Sequence, residues 1–256
     1  MATTKPRILL SLEYDRYARE YMSRLRPEHF MEAFGQSTQR KITVESLDLV
    51  HARRPEVQVF SALLVQYPHG REPRPHQVVP DNMVVIHDKP IKIEGSFDLP
   101  LQPADPFWVL EYVSKNSKRK DYDDSFYKYE QELKVPYYLL FHPDEQELTL
   151  FRHTKRKYVS VKPNEHDRLT IPELDLEMGL LDRWCRFWHL GKLLPLPADL
   201  LNEVEQIRCE RDQETQRADQ EKQRADQEKQ RADALERELE LLRAKLKQRR
   251  GKQGDE

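Results

Sequence analysis

Glycine is scarce in this chain, with 7 residues among 256, and no GxxxxGK[ST] or GxGxxG run occurs. Glycine-rich loops let backbone N–H groups approach a phosphate closely, so folds that bind nucleotides through such a loop are excluded. HExxH and GxSxG are missing as well, and the nine histidines have no zinc spacing. The common signatures of nucleotide-binding proteins, zinc proteases and serine hydrolases are therefore all lacking.

Cysteine and long apolar runs are also scarce. The two cysteines, Cys185 and Cys209, form no CxxC pair and are too few for a disulfide framework, which indicates reduced thiols. No run reaches the roughly 18 apolar residues of a membrane span, and the apolar run at 8–12 is too short for a signal peptide. We therefore expect a soluble, cytoplasmic protein with no membrane partner.

An excess of charge of one sign is absent too. The 43 Lys and Arg residues nearly balance the 45 Asp and Glu residues, which gives a formal net charge of −2. A nucleic-acid footprint covering the whole chain is thus missing, so any DNA-facing positive charge must be local. Charged residues make up 34% of the chain, above the roughly 25% of globular proteins, and many of them follow Leu200.

The last prolines, Pro195 and Pro197, mark a boundary, because nothing after them would interrupt a helix. QRADQEK at 216–222 is repeated at 223–229. Seven-residue spacing from 200 to about 246 gives a seam with apolar ends and an Ala and Glu middle. This pattern predicts a coiled coil that makes the chain a homo-oligomer. The poor middle of the seam leaves a solvated single helix, supported by charge pairs, as the alternative.

The remainder of the chain mixes helical and strand patterns. Apolar spacing predicts helices at 13–34, with Pro27 restarting the helix, and at 40–52, whereas 57–67 is ambiguous between strand and helix. Further predicted elements are strands at 78–86, 107–114, 137–141, 148–154 and 157–163, a helix at 121–134, and a hairpin at 176–189 that turns at Asp182-Arg183. Together they predict one α/β or α+β domain with a mixed sheet.

Two carboxylates stand in apolar strand patterns. Asp81 lies in VVPDNMVVI and Glu111 in FWVLEYVS. A buried, unpaired charge costs several kcal/mol, so each needs a cation, hydrogen bonds or an exposed face. Side by side they would suit Mg²⁺ (or Mn²⁺), which supports phosphodiester hydrolysis. Alternatively, Asp81 simply starts a strand after a Pro-Asp turn, and Glu111 lies on the solvated face of an edge strand.

Positive charge clusters directly after the Glu111 strand. The cluster consists of Lys115, Lys118, Arg119 and Lys120, and it predicts contacts with a DNA backbone. A solvated loop, partly neutralised by the aspartates that follow, is the alternative. A weaker second basic group consists of Arg71, Arg74 and His76.

Three stretches of the chain, VVPDNMVVI, FWVLEYVSKNSKRKDY and KYEQELKVPYYLLFHPDEQELTLFRH, resemble the Uma-two-type restriction endonuclease family of the PD-(D/E)XK nuclease superfamily. The resemblance covers roughly 35–195. It implies an αβββαβ core with a mixed sheet, in which Asp81 and Glu111 bind catalytic Mg²⁺ (or Mn²⁺) and DNA is hydrolysed.

The lysine of this superfamily is missing from its usual places. Two residues after the glutamate stands Val113, and the position that commonly carries the lysine in the Uma-two-type group is Ser125. Lys128, one helical turn further on, is the predicted catalytic lysine. Lys118 and Lys120 are rivals, and an ordinary surface lysine is the alternative. Glu45 is a further candidate, for the acidic residue that many such nucleases carry on their first helix.

These patterns lead to one organisation and two competing functions. We predict an N-terminal helical segment at 1–34, a restriction-endonuclease-like domain at 35–198, a coiled coil at 199–248 and a disordered tail at 249–256. The favoured function is a metal-dependent DNA endonuclease. The alternatives are a catalytically inactive nuclease fold that serves as a DNA-binding or interaction module and, less favoured, a hydrolase of small phosphate esters.

Overall fold

The computed structural model of the chain describes residues 5–25, 34–70, 72–113 and 119–251. Its internal contacts divide the chain into two compact units, Met1–Leu196 and Pro197–Glu256. The first unit contains the helices and sheets that carry the predicted carboxylates. The second is helical.

Two helices open the first unit, α1 (Arg7–Arg24) and α2 (Phe34–His51). They overlap the predicted helices at 13–34 and 40–52, and each begins earlier than its apolar spacing indicates. Pro27, which was expected to restart the first helix, lies outside the described residues. α2 is the better buried of the two, because it packs apolar side chains into the main core.

The strands of the first unit are short. In chain order they are β1 (Val57–Ser61), β2 (Val65–Tyr67), β3 (His76–Val78), β4 (Asn82–Ile86), β5 (Phe97–Asp98), β6 (Pro106–Tyr112), β7 (Tyr137–His142), β8 (Glu147–His153), β9 (Tyr158–Ser160), β10 (Leu169–Ile171), β11 (Leu176–Leu181), β12 (Trp184–His189) and β13 (Lys192–Leu193).

The main sheet has six strands in the order β1-β4-β6-β7-β8-β9. β6 and β7 run parallel, while the other neighbouring pairs are antiparallel. The sheet is therefore mixed, as predicted. A parallel pair needs a crossover connection, and a helix usually forms it; here α3 (Arg119–Tyr127), continued by a π-helical turn at Lys128–Glu132, fills that place.

The order of elements around the sheet is α2, β1, β4, β6, α3, β7, which is the αβββαβ order implied by the family resemblance. Successive side chains of a strand point to opposite faces. Accordingly, Trp108 and Leu110 of β6 join the core that contains α2, whereas Val109 joins the core that contains Tyr129. α2 thus contributes to the core on one face of the sheet, and the π-helical turn contributes to the core on the other.

Two smaller sheets complete the first unit. One has the order β10-β11-β12-β13, and the other has the order β3-β2-β5. The predicted hairpin at 176–189 is present as β11 and β12. Asp182 and Arg183, which connect the strands, both have positive φ, 53° and 69°, as a tight two-residue hairpin turn requires.

The region around the predicted strand at 78–86 differs from the prediction. Val78 ends β3 in one sheet, and β4 begins only at Asn82 in another. Pro80 has no N–H to donate to a sheet ladder, so it interrupts the pairing there. Asp81 consequently lies just before β4 rather than inside a strand. The ambiguous stretch at 57–67 likewise divides into two strands, β1 and β2.

The second unit is the helix α4 (Pro197–Gly251). Proline is well suited to the first helical position, because its missing N–H would have no partner there. Several apolar side chains of the predicted seam are exposed in the single chain, among them Val204, Ile207, Leu235 and Leu239. Residues 252–256 of the predicted tail lie outside the described residues. No helix within the described ranges is long and apolar enough to span a membrane.

Candidate metal centre

Asp81 and Glu111 come together at neighbouring strand ends. Asn82 of β4 pairs with Leu110 of β6, so the residues flanking this pair, Asp81 and Glu111, are brought side by side. The carboxylate of Asp81 lies against the backbone N–H of Tyr112, the residue that follows Glu111. Asp81 is 9% exposed, and Glu111 is partly buried. β6 lies between β4 and β7, which excludes the alternative that Glu111 belongs to an edge strand.

Asp81 is held by three partners. Its Oδ2 accepts a hydrogen bond of 2.7 Å from the backbone N–H of Tyr112, and its Oδ1 accepts one of 2.6 Å from Nε2 of Gln36. Nη2 of Arg40 lies 3.9 Å from the same Oδ1. Gln36 and Arg40 are four residues apart in α2 and so share one helix face. The carboxylate is therefore oriented from both β6 and α2, with a cation beside it.

Gly35 allows this approach of α2 to the sheet. A Cβ at this position would collide with the hydroxyl of Tyr112. Tyr112 is also the residue whose backbone N–H holds Asp81. The absence of a side chain at the start of α2 thus supports the geometry around the carboxylates.

Glu111 has a different environment. The hydroxyl of Tyr129 donates a hydrogen bond of 2.7 Å to its Oε1. Burial and the neighbouring charge of Asp81 raise the pKa of Glu111 well above its usual range, although the Tyr129 hydrogen bond acts in the opposite direction. Burial and the charge of Glu111 likewise raise the pKa of Tyr129, so the phenol remains a donor at neutral pH.

The pair is suited to a divalent cation. Two neighbouring carboxylates repel each other when both are ionised, and burial together with this repulsion raises the pKa of Glu111. A bound cation would offset both charges. Carboxylate oxygens are the ligands that Mg²⁺ and Mn²⁺ prefer. The two residues therefore fit the metal that their sequence context predicts.

The positions where a lysine was expected are occupied differently. Val113 packs against an apolar core, and its N–H donates to the carbonyl of Phe141. Ser125 lies one turn before Tyr129 in the helical segment. Among the described residues, Lys128 forms no contact with either carboxylate; its Nζ lies 2.7 Å from Oδ2 of Asp124 and 3.2 Å from the carbonyl oxygen of Gln77. Its catalytic role stays a prediction.

The basic cluster is only partly within the structure. Lys115 and Lys118 lie outside the described residues, and Arg119 and Lys120 are the first two residues of α3. Glu45, suggested as an acidic residue of the first helix, forms an ion pair of 3.7 Å with Lys41 instead.

Three residues near the carboxylates escaped the sequence analysis: Gln36, Arg40 and Tyr129. Gln36 and Arg40 have helical spacing, but nothing in that spacing indicates that their face of α2 meets Asp81. Tyr129 had a better signal, because it stands four residues after Ser125, on the helix face where the family's lysine was expected.

The chain was compared with family models, curated proteins and solved structures. The family model described as "Uma2: Putative restriction endonuclease" matches residues 31–183, more than half of the chain. Curated proteins gave no match. Among solved structures, the chain is similar to one described as a putative nuclease belonging to DUF820 from Anabaena variabilis, with 17% sequence identity and a TM-score of 0.43. The alignment covers 56% of this chain and 75% of that chain.

Proposed function

The chain belongs to the Uma2 restriction endonuclease family, and on this premise we propose that it is a metal-dependent endonuclease that hydrolyses DNA phosphodiester bonds. The observation that carries the proposal is the convergence of Asp81 and Glu111 at neighbouring ends of β4 and β6, where the Asp81 carboxylate accepts a hydrogen bond from the residue after Glu111. In this proposal the two side chains are the protein ligands of Mg²⁺ or Mn²⁺.

Such a cation, when bound, activates water for attack and neutralises charge at the scissile phosphate. In the hydrolysis itself, water oxygen forms a bond to phosphorus while the bond to the leaving sugar oxygen breaks. The water proton is released, and the leaving oxygen takes up a proton. The chain's own residues must therefore position the two carboxylate ligands of the cation and stabilise the negative charge that develops at the phosphate.

Each neighbour of the pair has a part in this proposal. Gln36 and the Tyr112 N–H orient Asp81, and the Tyr129 hydroxyl orients Glu111. Arg40 is the cation that contacts Asp81, so we assign it the stabilisation of phosphate charge that a lysine provides elsewhere in the superfamily. Lys128, the sequence-based candidate for that role, is the rival assignment.

Contacts with DNA are proposed for the segment between β6 and α3 and for the first residues of α3. Lys115, Lys118, Arg119 and Lys120 follow the Glu111 strand closely in the chain, and cations there would contact phosphates without reading sequence. We further propose that α4 makes the chain a homo-oligomer, because its exposed apolar seam residues need a partner to be buried. A cytoplasmic location accords with both proposals.

A catalytically inactive DNA-binding or interaction module is the second candidate function. The observation that favours it is that Lys128 pairs with Asp124 and that Val113 occupies the superfamily's lysine position. The two candidates differ in cleavage, whereas both allow DNA binding.

The test is cleavage of plasmid and single-stranded DNA with Mg²⁺ or Mn²⁺ by wild type, Asp81→Asn and Glu111→Gln. Both substitutions keep the side-chain shape and remove the charge. Asp88→Asn and Glu94→Gln, at exposed positions, are the matched controls. Metal-dependent cleavage that only the first two variants lose supports the endonuclease.

Two other outcomes are informative. DNA binding without cleavage by the wild type favours the inactive module. Cleavage that survives in Asp81→Asn and Glu111→Gln contradicts the assignment of the ligands.

A further inference from the structure

A second group of metal-ligating side chains lies where the loop between β2 and β3 meets the π-helical turn. It consists of His69, His76 and Glu132, whose ligand atoms all lie within 4.8 Å of one another. Nδ1 of His76 is 2.9 Å from Oε2 of Glu132, and Nδ1 of His69 is 3.8 Å from Oε1. The two imidazole rings are stacked with their centroids 4.5 Å apart. Two histidines of one loop region and a glutamate 56 residues after His76 thus lie close together.

We propose that His69, His76 and Glu132 form a zinc site separate from the Asp81 and Glu111 pair. Two imidazole nitrogens and one carboxylate oxygen are a ligand set that Zn²⁺ accepts and that Mg²⁺ does not favour. Bonds of about 2.0–2.1 Å place the donor atoms of a tetrahedral zinc site about 3.3 Å apart. The two histidine–glutamate separations of 2.9 and 3.8 Å lie on either side of that value. The three ligand atoms lie within 4.8 Å of one another and the imidazole rings are stacked, so the rings must rotate for both nitrogens to face one ion.

The outer partners of a zinc site are already in place. Zinc-binding histidines usually donate their second ring N–H to a carboxylate, which fixes the ring. Nε2 of His76 lies 3.1 Å from Oε2 of Glu72, which leaves Nδ1 for the metal. The hydroxyl of Tyr67 donates a hydrogen bond of 2.6 Å to Oε2 of Glu132. Both ligands are therefore oriented by a second group, as in a built site.

Burial and charge also fit. The carboxylate side chain of Glu132 is 5% exposed, whereas those of His69 and His76 are 39% and 27% exposed. An ion can thus enter from the histidine side and meet a buried anion. Although burial acts to raise the pKa of Glu132, hydrogen bonds from Tyr67 and His76 outweigh it and lower the pKa.

The bound ion would join the loop before β3 to the π-helical turn that follows α3. Glu132 follows Tyr129, the residue that orients Glu111, by three positions in the same π-helical turn. Zinc is therefore expected to stabilise the turn that supports the nuclease site. The zinc site itself does not depend on nuclease activity, because it shares no ligand with the carboxylate pair.

The test is equilibrium dialysis of chelator-treated protein against Zn²⁺ in excess Mg²⁺, which competes at the carboxylate pair. We expect one Zn²⁺ per chain and a zinc-dependent rise in melting temperature. His69→Asn, His76→Asn and Glu132→Gln should each weaken binding at least tenfold. His166→Asn, at an exposed histidine outside the cluster, should bind as wild type does.

Asp81→Asn separates this inference from the proposed function, since it should abolish cleavage and retain Zn²⁺ binding. His69→Asn is the mildest change to the fold, because its side chain is the most exposed of the three; circular dichroism confirms that the variant is folded. No Zn²⁺ binding by the wild type, or equal binding by His69→Asn and wild type, would overturn the proposal. The cluster would then be a histidine–glutamate ion pair alone.

Discussion

The hydroxyl of Tyr129 lies 2.7 Å from Oε1 of Glu111, and the phenol is 1% exposed. This is the contact between the helical segment that follows β6 and the strand that carries the glutamate. A buried carboxyl group that loses a donor keeps its desolvation cost without compensation. The pair therefore connects the stability of the fold with the geometry of the proposed metal site.

Removing this hydroxyl should destabilise the protein. For Tyr129→Phe we expect the free energy of unfolding to fall by about 1–3 kcal/mol, the cost of an unsatisfied buried group, and the affinity for Mn²⁺ to fall with it. Urea unfolding and metal titration measure the two effects. Tyr127→Phe, at a residue that is 54% exposed, is the control. Equal stability of Tyr129→Phe and wild type would show that the hydrogen bond contributes nothing.

The two candidate cations can be ranked by substitution. Arg40 contacts Asp81, whereas Lys128 contacts Asp124 and Gln77. Arg40→Ala should reduce the cleavage rate by about 100- to 1,000-fold, the range seen when a stabilising donor is removed, and Lys128→Ala should reduce it less. Single-turnover cleavage measures the rates, with Lys41→Ala as control. The reverse order would restore Lys128 as the catalytic lysine.

Gly35 offers a test of the approach of α2 to β6. Gly35→Ala should lower the free energy of unfolding by about 1–3 kcal/mol, because an inserted methyl group forces neighbours apart, here the Tyr112 hydroxyl. Adding Tyr112→Phe removes the hydroxyl with which the methyl group collides and should restore part of the lost free energy of unfolding. Urea unfolding of the single and double variants measures this recovery. Additive effects of the two substitutions would contradict the contact.

His189 should make stability depend on pH. Neither of its ring nitrogens has a hydrogen-bond partner among the described residues, and burial lowers its pKa below the ordinary 6.5. The unfolded chain therefore takes up the proton first as pH falls. The stabilisation is complete above pH 6.5 and is lost as pH falls through the lowered pKa.

His189→Gln, which cannot titrate, should therefore lose less stability than wild type between pH 7.5 and 5. Urea unfolding at both pH values measures the difference. His166→Gln, whose side chain is 60% exposed, should behave as wild type does. An unchanged pH dependence in His189→Gln would rule out the buried imidazole as its source.

The seam of α4 predicts a specific effect on assembly. Leu235 and Leu239 are 61% and 54% exposed in the single chain, and in a coiled coil they would be buried. Replacing both with Glu should shift the protein from oligomer to monomer in sedimentation velocity. Gln216→Glu with Gln223→Glu, which add the same charge on the outer face, should leave the oligomer intact. A monomeric wild type would contradict the coiled coil.

Some residues of the candidate site can be predicted from their sequence context, whereas others are placed by packing that the sequence does not reveal. Asp81 and Glu111 can be identified from sequence because a charged residue in an apolar strand pattern is costly to bury unless it has a partner. Their proximity depends on the register of β4 and β6, which residue types indicate only weakly. Gln36 and Arg40 were missed because the side of α2 that meets Asp81 is decided by packing across the sheet.

In the helical segment after β6, too, the sequence does not show which of two neighbouring side chains faces the carboxylates. Counting from Ser125, Lys128 and Tyr129 are both one turn away, at three and four positions. The structure buries Tyr129 against Glu111 and directs Lys128 towards Gln77. Sequence spacing alone could not choose between them, because the choice rests on which side chain fits the apolar core around Val109 and Leu140.

The π-helical turn at Lys128–Glu132, closed by the N–H of Leu133 on the carbonyl of Lys128, has a consequence for how this region can vary. An α-helix places residues three apart on one face, so Tyr129 and Glu132 would compete for one neighbour. The wider π-helical turn separates the two side chains, so that Tyr129 contacts Glu111 and Glu132 contacts His76. Deleting one residue here is therefore expected to bring Tyr129 and Glu132 to one helix face, so that the two side chains could not keep both of these contacts.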